Sequence, residues 1–121
     1  MKKVMMFVAG LALVASTAVL AQEQAETFKG TIIDNACFKA DMSAEDLAMH
    51  TRDCALMDGC VASGYVVVTA DKHVYKLDVG GNEKLVEVLK ASRQSANLKV
   101  TVTGVNTEGT IKVASVTLDK Q

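Results

Sequence analysis

Along the 121-residue chain, hydrophobic and polar positions follow three different rhythms. Thr27–Ile33 reads as a strand with Phe28 and Ile32 on one face, and Gly30 in its middle marks a bulge or a close backbone approach. Asp34-Asn35 ends it with turn chemistry. The rhythm then becomes helical. Ser43 is a candidate N-cap ahead of Glu45 and Asp46, and Leu47, His50, Cys54, Met57 and Val61 recur at spacings of three and four. Asp58-Gly59 is the expected break in that helix. The valine-rich run Gly64–Ala70 and the segment His73–Asp78 read as a hairpin turning at Asp71-Lys72. Gly80-Gly81-Asn82 opens a helix through Leu85, Val88, Leu89 and Ser92. A last hairpin pairs a strand from Leu98 to Thr103 with Thr110–Leu118, turning through Gly104–Gly109. The apolar parity shifts between Val113 and Ala114, which predicts a bulge.

Five strands with a helix between the third and fourth is the order of an OB-fold barrel, here with a cysteine-containing helical insert over residues 36–63 after strand 1. A two-layer α+β sheet is the alternative. Closure favours the barrel, because it removes the edges of these valine-rich strands. The expected class is therefore mostly β, a single domain over residues 27–121 with no internal repeat or linker.

The first residues obey another rule. Lys2 and Lys3 lead into an apolar run, Val4–Leu20, followed by Ala21, the pattern of a secretory signal peptide over residues 1–21. Gly10, Ser16 and Thr17 interrupt that run, and neither a basic stop-transfer flank nor a lipid-accepting cysteine follows it. The expected product is an exported chain, periplasmic or extracellular, without a stable membrane anchor, starting in a flexible leader at 22–26.

Removing Lys2 and Lys3 takes the net charge from −1 to −3, which excludes a basic nucleic-acid footprint. All of that excess lies between residues 37 and 60, where Asp41, Glu45, Asp46, Asp53 and Asp58 face only Lys39 and Arg52. The same segment holds all three cysteines. After export, one disulfide with a spare thiol is the leading expectation. An unbroken helix would hold Cys54 and Cys60 roughly 9 Å apart, so a bond between them needs a turn, whereas Cys37 needs none to reach either. The second reading is a zinc or copper site made by Cys37, His50, Cys54 and Cys60, with His50 and Cys54 one helical turn, about 6 Å, apart. A third is buried, unlinked thiols packed as small hydrophobes. A thiol-redox role needs an exposed thiol of low pKa, which the surrounding acids oppose. Met42, Met49 and Met57 read as packing residues, and His73 as an exposed strand opener.

No covalent-haem motif, C-x-x-C pair, nucleophile elbow, phosphate loop or dinucleotide fingerprint occurs. Asp34 and Asp78 end strands, a common place for polar residues, and two tyrosines without basic neighbours make a poor nucleic-acid platform. An enzyme is the least favoured class.

Gly30-Thr31-Ile32-Ile33-Asp34-Asn35-Ala36-Cys37, the later cysteine pair, Gly64-Tyr65-Val66 and Val74-Tyr75-Lys76-Leu77 together resemble a family of small secreted bacterial proteins of unknown function. Its pattern is G-x-[IL]-x-D-x-x-C with a His/Cys insert. The resemblance implies an OB-like barrel and export, and no activity. The family's later cysteines are commonly four apart, whereas here they are six apart. On the residues themselves, the expectation is a non-enzymatic exported binding or structural module, with metal binding as the alternative.

Overall fold

The computed structural model describes residues 24–120, so the expected signal peptide over 1–21 and the start of the expected leader lie outside the described residues. Five strands close into a barrel in the order β1-β2-β3-β5-β4, where β1 is Glu26–Asp34, β2 Tyr65–Thr69, β3 Val74–Leu77, β4 Lys99–Thr107 and β5 Thr110–Leu118. All pairs are antiparallel except the short parallel contact of β3 with β5. Three short helices, α1 (Ala44–Met49), α2 (Arg52–Ala55) and α3 (Asp58–Ser63), form the insert between β1 and β2. The helix α4 (Val79–Ala91) connects β3 to β4. The OB-like barrel with a helical insert is thus the architecture.

Gly30 pairs with both Thr69 and Val100, and a Cβ on it would run into the Val68 carbonyl. The sequence-predicted close approach is where β1 bends between its two neighbours. The bulge expected at Val113–Ala114 is also present: Thr103 pairs with Ser115 but Gly104 with Val113, leaving Ala114 as the extra residue. The last hairpin is tighter than expected. β4 continues to Thr107, and the turn is only Glu108 (φ 52°) and Gly109 (φ 88°), the left-handed pair that a two-residue hairpin demands.

Strand alternation produces two apolar clusters. Inside the barrel, Phe28, Ile32, Val67, Val100, Val102 and Ile111 pack with Leu85 and Leu89 of α4, which closes one end. Outside it, Ile33, Val66 and Val68 point to the opposite face and are covered by Leu47 of α1, with Phe38 and Met42 against them. Fully burying one such aliphatic side chain stabilises by about 1.5–3 kcal/mol, so this outer cluster is what holds the insert against the sheet.

The expected single helix through Leu47, His50, Cys54 and Val61 is not one helix. Ser43 caps α1 as anticipated, in a reciprocal box with Asp46, but α1 stops at His50, whose backbone is extended (ψ 124°). Thr51 then caps α2 by accepting from the Cys54 amide, and the chain turns again at Met57 rather than at Asp58-Gly59, so that Gly59 lies inside α3. Caps at Ser43 and Thr51 offer the backbone a local alternative to continuing one long helix.

Candidate functional site

The site is built where β1 ends. Asp34 is the last residue of that strand and is completely buried. After it the chain folds sharply back: its carbonyl accepts from the amides of Cys37 (3.2 Å) and Phe38 (3.0 Å). That turn is tied to the end of α3, because Asn35 donates through its side-chain amide to the Ser63 carbonyl (2.8 Å) and through its backbone to the Gly64 carbonyl (2.9 Å). Ser63 in turn donates its hydroxyl to the Cys60 carbonyl (2.7 Å). These ties bring Cys37 and Cys60 to the same carboxylate.

The ligand-type atoms of Asp34, Cys37 and Cys60 all lie within 4.8 Å of one another. On the Asp34 carboxylate, Oδ2 accepts from the Cys37 amide at 3.1 Å and Oδ1 sits 2.7 Å from His50 Nε2. Among the described residues neither Oδ1 nor Nε2 has another hydrogen-bond partner. His50 is itself 9% exposed in its side chain. A carboxylate removed from water at this depth needs such a partner, since desolvation alone costs several kcal/mol.

The thiols feel the same carboxylate. Partial desolvation and then the Asp34 carboxylate, through hydrogen bonding and charge, push Cys60 up to about 11. The same two causes raise Cys37, against a small opposing effect of a hydrogen bond from Cys60. Both are therefore protonated at neutral pH, which makes them weak nucleophiles. Tyr65, opposite Asp34 in the sheet, is pushed up to about 12 by burial and then by the charge of Asp34; its hydroxyl donates to the Ala55 carbonyl at 2.6 Å.

Of the four sequence candidates, the structure brings Cys37 and Cys60 together and places His50 on their shared carboxylate. It does not bring Cys54 to that group. Cys54 is exposed on α2 because the helix breaks at His50, which removes the one-turn spacing that would have aligned the two. The expected disulfide is likewise not formed: Cys37, Cys54 and Cys60 are all free, with the sulfurs of Cys37 and Cys60 engaged with Asp34 rather than bonded to each other. Asp34 is the member that sequence reasoning left among ordinary strand ends. Its signal was present in the run Ile32-Ile33-Asp34, where two apolar neighbours point to opposite, equally buried faces, followed by a cysteine three residues on.

Among the described residues no helix is long and apolar enough to cross a membrane. No protein-family model, curated protein or solved structure matches the chain.

Proposed function

We propose that this protein is an exported binding module whose site takes a thiophilic metal cation, zinc(II) before copper(I), through Cys37, Cys60 and Asp34. The observation that carries this reading is the convergence of two thiols and one fully buried carboxylate within 4.8 Å. In a tetrahedral zinc site, bonds of about 2.3 Å put two sulfurs roughly 3.8 Å apart, so the group needs only a small contraction. Thiolate sulfur suits both metals, while the carboxylate oxygen favours zinc over copper(I). His50 serves as the outer partner that fixes the carboxylate, and the exposure of Cys37 leaves a fourth position to solvent. A cation also offsets the burial of Asp34 and releases the two thiol protons.

The proximity of the two sulfurs favours a second reading, a Cys37–Cys60 disulfide in an oxidising compartment, stapling α3 to the end of β1. One experiment separates them. The chain is expressed through an export pathway, and its intact mass, free thiols and metal content are measured before and after reduction. Stoichiometric zinc, lost in Cys60→Ser and retained in Cys54→Ser, supports the metal site. Loss of two hydrogens without metal, absent in Cys60→Ser, supports the disulfide. Three free thiols with no metal sink both.

A further inference from the structure

A second feature lies on the outside of the barrel. Between the insert and the outer face of β1 and β2 runs a half-open cavity of about 620 Å³, within the range of small-molecule sites (about 300–1,000 Å³). Its walls are largely apolar: Phe38 and Met42 from the insert, Val68 from β2 and Val74 from β3. Phe38, Met42, Val68 and Leu47, which also lines the groove, belong to the outer cluster or pack against it, so the groove borders that cluster, and Val74 beside it is left 40% exposed. The rim has a different character. Lys29 and Lys99 stand on the outward faces of neighbouring strands, since Lys29 pairs with Thr101 and Lys99 with Thr31, and Lys72 overhangs from the β2–β3 turn. None of the three lysines is ion-paired among the described residues. Glu45 and Asp119 also reach the wall, but Asp119 is engaged by the Thr101 hydroxyl at 2.8 Å, and the rim remains net positive on an otherwise acidic chain.

We propose that this groove binds a single-chain anionic amphiphile, a long-chain carboxylate, with its tail along Phe38, Met42, Val68 and Val74 and its headgroup among Lys29, Lys72 and Lys99. The chemistry follows from the juxtaposition. An apolar trough recovers about 25 cal/mol for each Å² of tail it removes from water. The ammonium groups of the three lysines lining the groove select the sign of the headgroup, and their long apolar stems extend the trough. The site shares no ligand atom with Asp34, Cys37 and Cys60, so it stands independently of the metal reading.

The test is isothermal titration of the full chain, expressed through an export pathway, with dodecanoate, dodecanol and dodecyltrimethylammonium, each below its micelle or solubility limit. Dodecanoate is expected to bind at least about tenfold more tightly than the cationic amphiphile, a difference worth about 1.4 kcal/mol. That preference shrinks as salt rises, because the lysines are exposed. The triple variant Lys29→Gln, Lys72→Gln, Lys99→Gln changes only exposed side chains and is expected to lose the tenfold preference while still binding dodecanol. Ala44→Trp, an exposed position lining the groove, is expected to fill it and weaken all three ligands with an unchanged circular dichroism spectrum. Equal binding of the anionic and cationic chains, undiminished binding to the Ala44→Trp protein, or no binding by any probe overturns the proposal.

Discussion

Asp34 concentrates the chemistry of the molecule in one side chain. It is buried, holds His50 at 2.7 Å and faces both thiols, so removing it orphans several groups at once. Asp34→Ala is expected to lower stability by about 1–3 kcal/mol, the usual cost of unpaired buried polar groups, read as a shift in the urea midpoint with unchanged slope. The same variant is expected to lose the bound cation, whereas His50→Ala weakens cation affinity by about 10–100-fold without abolishing it, as outer-sphere partners do; competition with a chromogenic chelator measures both. Tyr65 supplies a pH signature. Its pKa is raised from 10.0 to about 12, so folding favours the neutral phenol. That contribution is fully present below pH 10 and disappears as pH climbs from 10 towards 12. Denaturation midpoints followed between pH 9 and 12 should fall more steeply for the parent chain than for Tyr65→Phe. An equal slope in the two proteins would remove Tyr65 from the account.

At the scale of elements, the insert and the strands are stabilised by different things. The helices of the insert are six, four and six residues long. Isolated helices shorter than about 12–15 residues are marginal in water, so these depend on their caps and on docking to Ile33, Val66 and Val68. Ser43→Ala removes the acceptor for the Asp46 amide and is expected to cost about 1 kcal/mol, visible as faster amide exchange in α1 with little change in α4. The strands respond to crowding instead. Gly30→Ala forces a Cβ against the Val68 carbonyl and should cost about 1–3 kcal/mol, which in a domain of this size lowers Tm by roughly 4–8 °C for each kcal/mol. Both features were legible in the chain: the S-x-x-D box and the mid-strand glycine announce themselves locally. The break at His50-Thr51 was less visible, because the apolar spacing runs smoothly across it and only the competing cap at Thr51 marks the end.

For the whole molecule, the site joins two parts that the sequence places far apart, the end of β1 and the end of α3. On the proposed metal reading, a cation held by both would tie the insert to the barrel. Zinc at a hundredfold excess over its Kd is expected to stabilise by about 2.7 kcal/mol, seen as a rise in Tm that Cys60→Ser abolishes. Much of the barrel follows from local pattern: alternation along Leu98–Val102, the valine run of β2, the parity shift at Val113–Ala114, and the need of such strands for closure. The placement of the cysteines and His50 in one acidic insert is also a property of the sequence alone. Which of them meet was decided by tertiary structure. Helical spacing pairs His50 with Cys54, but two caps end the helix between them, and long-range ties through Asn35 and Ser63 bring Cys60 to Cys37 instead. The burial of Asp34 was decided in the same way: a strand-terminal acid is ordinarily solvated, and only the insert folding back over the end of β1 takes this one out of water. Periodicity reports which face a residue occupies within its own element, and it carries no information about what another element brings to that face.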